Sequence, residues 1–396
     1  MQCGRPLLLR QPFAPDAFDQ VILGCVNVIA DEMNPARVAA LRLGMGEAMT
    51  AFTVQINCGS GMQSIDTAYR YIREGVSDLV LAGGAESLSH APLVFNRDAV
   101  KWYARLFAAR GLGAKLGAFL GFRPSMLTPV IGLERGLTDP ITDLNMGQTA
   151  ELVGHLFHIT RRQADEYAAE SQLRAAAAQK NGFFVGEVEP AFARDGTVFD
   201  HDDGVRPDSS ADTLAKLKPA FERPWGKVTP GNSSQITDGA SWVILASEDA
   251  VKQHKLTPKA VILDSEWSAL DPSVMGLGPV YCSSAILKRH QLALNDIELW
   301  ELNEAFAAQV LGCLAAWDDA EFCRDALGLD GAAGTIPRDR INVDGGAIGV
   351  GHPVGASGNR IVLHLVNAMK RLGYKRGIAT ECIGGGQGGA MLIEAI

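Results

Sequence analysis

Short apolar runs that end in glycine alternate along this chain with stretches of helical periodicity. Residues 78–84 (Asp-Leu-Val-Leu-Ala-Gly-Gly) predict a buried strand that ends in a turn, and residues 243–246 and 260–263 predict two more strands. Between residues 62 and 73, apolar side chains recur at the spacing of one helix face. Strands that alternate with helices predict an α/β fold with buried sheets.

The chain also carries a faint internal repeat. Ser60-Gly61 precedes a helical stretch, a short apolar run and two adjacent glycines, and Ser357-Gly358 precedes the same series. The repeat predicts two similar α/β halves, whereas residues 91–236 lack regular strand alternation. We therefore expect an N-terminal half at 1–90 and 237–258, an inserted loop domain at 91–236, and a C-terminal half at 259–396.

Composition excludes several classes of protein. The 396 residues include 45 acidic and 36 basic side chains, and a net charge of −9 argues against a general nucleic-acid binder. The seven cysteines contain no CxxC pair, which predicts reduced thiols and a cytoplasmic location. No apolar run reaches the roughly 18 residues of a membrane span, and the first residues predict no secretory signal.

One segment reverses the acidic balance of the chain. Residues 99–133 contain no acidic side chain but five basic ones, and Trp, Phe and Leu residues interleave with them. A solvated surface is the simplest interpretation. The functional alternatives are an anchor for a phosphorylated ligand, for a protein partner or for a membrane surface.

Two cysteines and a histidine occur where chemistry is plausible. Cys58 lies between a β-like stretch and a helix, and a helix N-terminus lowers a thiol pKa, so we expect a reactive thiolate or else a structural cysteine. His352 lies between a glycine run and a helix start, as a candidate base. Cys382 precedes five glycines in six residues, whose backbone N–H groups could form an oxyanion hole at Gly384.

Other motifs carry less information. Residues 384–389 formally match GxGxxG, but no helix pattern follows, so a dinucleotide site is not favoured. Asn303 opens the segment Asn-Glu-Ala-Phe-Ala, which by itself predicts only a helix onset. His155 and His158 lack an evident third ligand, and we predict no metal site.

Taken together, four motifs resemble the thiolase superfamily, specifically the CoA-dependent thiolases. They are the Cys58 turn, NEAFAAQ from Asn303, GGAIGVGHPVGASG around His352, and CIGGGQGG from Cys382, and the resemblance covers about residues 13–396. It implies two βαβαβαββ halves in five αβαβα layers, with a loop domain inserted in the first half. Only a dozen residues precede Phe13, where thiolases normally have a first strand and helix. We therefore expect either that the chain starts downstream of its true beginning, or that the N-terminal sheet lacks this strand, which would leave a gap inside it.

The resemblance also implies roles. Cys58 resembles the acylated nucleophile, His352 the base that activates it, and Cys382 a second acid/base. Asn303 resembles the residue that holds a catalytic water, which with His352 forms one oxyanion hole, while the N–H groups of Cys58 and Gly384 form another. The positions that match the lining of the pantetheine and acyl pocket are Met146, Ser234, Ala305 and Phe306.

The implied activity is the thiolytic cleavage of 3-ketoacyl-CoA by CoA, with CoA as cosubstrate and no permanently bound cofactor. Asn145 stands where acetoacetyl-specific biosynthetic thiolases usually have histidine, which favours a degradative enzyme of fatty-acid β-oxidation with a longer acyl range. The alternatives are a biosynthetic acetyl-CoA acetyltransferase, a ketosynthase-like relative, and an inactive CoA-binding or scaffold subunit. The implied partners are acyl-CoA, a second copy in a homodimer or tetramer, and a hydratase/dehydrogenase.

Overall fold

The computed structural model describes all of residues 1–396 and contains two four-stranded sheets and two short hairpins. The strands are β1 Gln20–Gly24, β2 Thr50–Val54, β3 Leu79–Ser87, β4 Leu93–Phe95, β5 Pro129–Ile131, β6 Ala191–Phe192, β7 Val198–Phe199, β8 Asp238–Ala246, β9 Ala260–Ala269, β10 Leu299–Leu302, β11 Arg376–Ile383 and β12 Gln387–Ala395.

Fifteen α-helices connect and cover these strands. They are α1 Gly4–Leu9, α2 Pro35–Arg42, α3 Ser60–Arg73, α4 Arg97–Ala108, α5 Leu112–Leu120, α6 Gly132–Gly136, α7 Met146–Leu156, α8 Arg161–Lys180, α9 Ala211–Leu214, α10 Glu248–His254, α11 Gly278–His290, α12 Ala307–Asp318, α13 Ala320–Leu327, α14 Ala347–Val350 and α15 Val354–Leu372.

The two large sheets confirm the prediction of two similar α/β halves. The first has the strand order β2–β1–β3–β8 and the second the order β10–β11–β12–β9. In each sheet the last strand of the half runs antiparallel to a neighbour, β8 to β3 and β12 to β11. The pairs β1–β2 and β1–β3 in the first sheet and β10–β11 in the second are parallel. The matching pattern is that of a duplicated unit.

The core is arranged in five layers, as predicted. One apolar cluster joins α1, α2 and α10 to the first sheet, a second joins both sheets to α3 and α15, and a third joins the second sheet to α11 and α12. The helices α3 and α15 therefore form a central layer that is covered on both sides. Apolar burial of this kind contributes roughly 25 cal/mol for each Å² removed from water.

The expectation of a gap inside the first sheet was wrong. Strand β1 pairs with both β2 and β3, so that Gln20 lies opposite Thr50 on one side and Val80 on the other. In the second sheet, β9 pairs with the outer edge of β12, whereas the equivalent edge of β8 has no strand beside it. The strand position that is vacant here is thus at an edge, where no paired neighbour is interrupted, and helix α1 packs near it.

Glycines allow the two central helices to approach closely. A Cβ atom on Gly61 of α3 would lie 2.7 Å from the backbone nitrogen of Asn359 in α15, and one on Gly358 would lie 2.6 Å from the backbone nitrogen of Met62. Because backbone atoms cannot rotate aside as a flexible side chain does, any larger residue would push the helices apart. The N-terminal ends of α3 and α15 are held together by this contact.

We expect Gly61→Ala to lower the free energy of unfolding by about 1–3 kcal/mol, the usual cost of overpacking. Gly113→Ala in α5 is the matched control, because a Cβ there meets nothing within 4 Å and alanine favours a helix. Urea denaturation of both variants measures the difference. Equal stability of the two variants would contradict the close-contact argument.

Candidate active site

Cys58 lies in the turn that connects β2 to α3. The hydroxyl of Ser60 accepts a hydrogen bond from the backbone nitrogen of Ile56 at 2.9 Å and donates one to the carbonyl of Asn57 at 2.7 Å. Asn57 has a φ of +46°, a left-handed conformation that asparagine adopts more readily than most residues. This turn places Cys58 just before the first residue of α3.

His352 lies at the equivalent place in the C-terminal half, just before α15. Its ring Nδ1 lies 2.6 Å from the hydroxyl of Ser357, and its backbone nitrogen donates to the carbonyl of Gln235 at 3.3 Å. The side chain is buried, with 8% of its residue surface exposed. The hydrogen bond to Ser357 fixes the ring orientation and leaves Nε2 for other partners.

The turn between β11 and β12 brings the third reactive group to the same place. Cys382, near the end of β11, is buried. Burial raises the pKa of its thiol, and the nearby Cys58 thiol raises it further. The side chain of Asn57 donates to the carbonyl of Gly384 at 2.7 Å. The turn after Cys382 is therefore attached directly to the Cys58 turn of the other half.

Burial, rather than the helix N-terminus, determines the ionisation of this pair. It raises the pKa of the Cys58 thiol to about 12, and the N–H groups of Gly384 and Cys58 only oppose that rise. Burial, assisted by the positive charge of Arg360, lowers the pKa of His352 to about 4. The expectation of a thiolate stabilised by the helix was wrong for the resting protein, in which both groups are neutral.

Asn303 lies beside His352 and is completely buried. Its backbone nitrogen donates to the carbonyl of Thr380 at 2.9 Å, and its side-chain nitrogen lies 3.5 Å from both ring nitrogens of His352. Its Oδ1 has no hydrogen-bond partner. A buried acceptor without a partner is costly, so this atom is suited to bind a small donor such as water.

The residues predicted to line the substrate pocket are adjacent to one another. Met146, Ala305 and Phe306 belong to one apolar cluster with Cys382, and the backbone nitrogen of Ser234 donates to the carbonyl of Ala305 at 3.0 Å. The Met146 sulfur lies 3.2 Å from where a Cβ on residue 384 would be. All nine residues singled out from the sequence are therefore brought to one region.

Sequence reasoning missed the residues that position this site. Asn57 and Ser357 adjoin the motifs that were recognised, and the only signal was their place next to Cys58 and His352. The role of Glu304 was also missed. Its buried carboxylate accepts hydrogen bonds from two residues of α8, Tyr167 at 2.8 Å and Ser171 at 2.6 Å. It accepts two more from Asn342 and from the backbone of Ile348. It attaches the loop before His352 to the inserted segment.

No group of three or more His, Cys, Asp or Glu side chains is arranged to hold a metal ion. None of the helices combines the length and the apolar character needed to cross a membrane.

Comparison with known proteins gives the family. The family model described as the thiolase N-terminal domain matches residues 2–249, and that of the thiolase C-terminal domain matches residues 256–395. A probable acetyl-CoA acyltransferase of Staphylococcus epidermidis is 36% identical over 394 residues, which cover 98% of this chain and 90% of the relative. A beta-ketoadipyl-CoA thiolase of Pseudomonas aeruginosa is 38% identical over 388 residues, with 96% and 88% covered.

Solved structures of thiolases are similar to this chain over nearly its whole length. The human mitochondrial 3-ketoacyl-CoA thiolase in complex with CoA superposes with a TM-score of 0.84 at 36% identity, covering 99% of this chain and 90% of that one. Members of this family use CoA as a substrate rather than as a resident cofactor. With both family domains matched along nearly its whole length, the chain belongs to the thiolase family and is an acyltransferase.

Proposed function

We propose that this protein cleaves 3-ketoacyl-CoA with CoA, giving acetyl-CoA and an acyl-CoA shortened by two carbons, through an acyl thioester on Cys58. The observation that carries the proposal is that Cys58, His352 and Cys382 lie in three segments that contact one another. Asn57, next to Cys58, bonds to Gly384 after Cys382, while Asn303, beside His352, bonds to Thr380 before it. Cysteine suits the reaction because its acyl adduct is itself a thioester, so transfer to CoA is nearly isoenergetic.

In the first half-reaction, the neutral ring of His352 takes the proton of Cys58, and the sulfur attacks the 3-keto carbon. The resulting oxyanion collapses with cleavage of the C2–C3 bond, which leaves the acyl group on Cys58. The electron pair of the broken bond goes to the enolate of acetyl-CoA, which takes its proton from the Cys382 thiol. Acetyl-CoA then leaves.

In the second half-reaction, the Cys382 thiolate takes the proton of the incoming CoA thiol, and the CoA sulfur attacks the acyl carbon. The C–S bond to Cys58 breaks, and protonated His352 returns its proton to the departing sulfur. Each half-reaction develops charge on a carbonyl oxygen. We assign one oxyanion hole to His352 with a water held by Asn303, and the other to the N–H groups of Cys58 and Gly384, each donor worth roughly 3 kcal/mol.

The acyl and pantetheine pocket is assigned to Met146, Ser234, Ala305 and Phe306, which surround Cys382. We also propose the division into a half at 1–90 and 237–258, an inserted domain at 91–236, and a half at 259–396. A cytoplasmic location, a role in fatty-acid β-oxidation, a homodimer or tetramer, and a hydratase/dehydrogenase partner remain predictions.

Cys58→Ala should abolish acylation of the protein by acetyl-CoA, seen by intact-mass spectrometry, and lower kcat about a thousandfold or more. Cys3→Ala is the control, because this thiol lies on the side of the N-terminal sheet that faces away from α3. This variant should keep both the acylation and the kcat of the wild type. If the wild-type protein forms no adduct, the chain is an idle CoA-binding or scaffold subunit, and the proposal fails.

The resting Cys58–His352 pair should be neutral from about pH 5 to 9, because the thiol loses its proton only near pH 12 and the imidazole gains one only near pH 4. The ultraviolet absorbance of a thiolate should then be the same in wild type and Cys58→Ala across this range. An absorbance step that disappears with Cys58→Ala would show a preformed thiolate–imidazolium pair instead.

The acyl range should exceed four carbons. Steady-state thiolysis of 3-ketoacyl-CoAs with acyl chains from C4 to C16 measures it, and we expect kcat/KM to be higher for longer substrates than for acetoacetyl-CoA. Activity confined to the C4 substrate would instead identify a biosynthetic acetyl-CoA acetyltransferase, which shares the same reactive residues and differs only in the pocket.

A further inference from the structure

Residues 93–131 form a structural unit that we call the helical hairpin. The strands β4 and β5 pair antiparallel at its base, with Val94 opposite Val130, and α4 and α5 form its body. The side chain of Asn96 donates to the carbonyls of Ser125 and Thr128 at 2.9 and 3.0 Å, which closes the base. The hairpin is therefore an ordered element and not a loose loop.

Aromatic side chains pack inside the hairpin. The indole nitrogen of Trp102 in α4 donates to the carbonyl of Ala118 in α5 at 2.8 Å, and its ring meets Phe122 edge-on at a centroid distance of 5.2 Å. The ring centroid of Tyr103 lies 5.2 Å from the ring centroid of Phe95 in β4. These contacts hold the two helices together and do not involve Leu112, Leu116, Phe119 or Leu120 of α5.

Those outer side chains are concentrated to an unusual degree. The hairpin is about a tenth of the chain, yet it carries 12 of the 33 large apolar residues that are exposed. Leu112 is 90% exposed, Phe107 83%, Leu120 76% and Phe119 63%. On α5, residues 112, 116, 119 and 120 recur at the spacing of one helix face, so they form a continuous apolar stripe. A stripe of this size on a folded protein marks an interaction surface.

The charge of the hairpin identifies the kind of partner. From residue 99 to 133 there are five basic side chains and no acidic one, in a protein whose net charge is −9. All five bases are exposed, and none has a carboxylate within ion-pair distance; they are Lys101, Arg105, Arg110, Lys115 and Arg123. Pairing this face with a second copy would bring like charges together, whereas an anionic surface would neutralise them.

We propose that the helical hairpin docks the protein onto anionic phospholipid bilayers. The basic side chains contact the lipid phosphates, and the apolar stripe of α5 together with Phe107 enters the boundary between headgroups and acyl chains. Exposed Phe and Leu beside Lys and Arg on a short amphipathic helix is the composition of interfacial membrane segments. With 12 residues in α4 and 9 in α5, both helices are shorter than the roughly 20 residues of a membrane span, so the proposed attachment is peripheral. It does not depend on the reaction proposed above.

The test is sedimentation of the full-length protein with vesicles. We expect binding to vesicles of phosphatidylglycerol mixed with phosphatidylcholine, little binding to pure phosphatidylcholine, and release at high salt. The variant Arg105→Glu/Lys115→Glu should weaken binding more than about tenfold, since each base near an anionic surface contributes substantially. Phe119→Ser/Leu120→Ser should weaken it similarly, because it removes the inserted side chains.

Matched controls alter exposed residues elsewhere in the chain. Arg194→Glu/Lys370→Glu reverses two charges without touching the hairpin, and Val198→Ser/Phe199→Ser removes two adjacent exposed apolar side chains from the β6–β7 hairpin. Both control variants should bind vesicles like the wild type. Circular dichroism of every variant checks that it is folded.

Three results would overturn the proposal. They are absence of sedimentation with anionic vesicles, an equal loss of binding in the control variants, and hairpin variants that bind vesicles normally while their mass by light scattering changes. The last result would identify the helical hairpin as a protein–protein interface. Thiolysis of a water-soluble C4 substrate should be unaffected by the hairpin variants, so failure of docking and failure of catalysis are distinguishable.

Discussion

The close contact between α3 and α15 is the constraint on which the rest of the structure depends. The two helices cross where Gly61 and Gly358 leave no room for a Cβ atom, and they lie between the two sheets. Each begins two residues after a residue of the candidate site, Cys58 in one case and His352 in the other. Packing the helices therefore also determines how far apart Cys58 and His352 lie.

The duplication explains why one site is built from two halves. Each half supplies one of the two central helices together with the segment that leads into it, and the β11–β12 turn with Gly384 is bonded to the Cys58 turn through Asn57. Burial at this junction keeps both the thiol and the imidazole uncharged. In the proposed mechanism, charge therefore appears on this pair only when substrate is present, and the backbone N–H groups assigned to the oxyanion hole would stabilise it.

Much of this was predictable from the sequence. The alternation of strands and helices predicted the α/β class, and the glycine-rich segments around Cys58, His352 and Cys382 predicted the candidate site before its contacts were known. The direction of the Cys58 pKa was predicted wrongly, because a local pattern shows a helix N-terminus but not the apolar surroundings that outweigh it. The place of the vacant strand and the role of Glu304 depend on contacts between residues more than 100 apart in sequence, which periodicity does not report.

The attachment of the Cys58 turn to Gly384 has a consequence for synthesis on the ribosome. His352 and Cys382 both lie among the last 45 of 396 residues, whereas Cys58 is made early. In the proposed mechanism, Cys58 therefore has no base for most of translation, because His352 is not yet made. The proposed acylation then requires the C-terminal segment that supplies His352 and Cys382, so the order of synthesis protects the nascent chain from it.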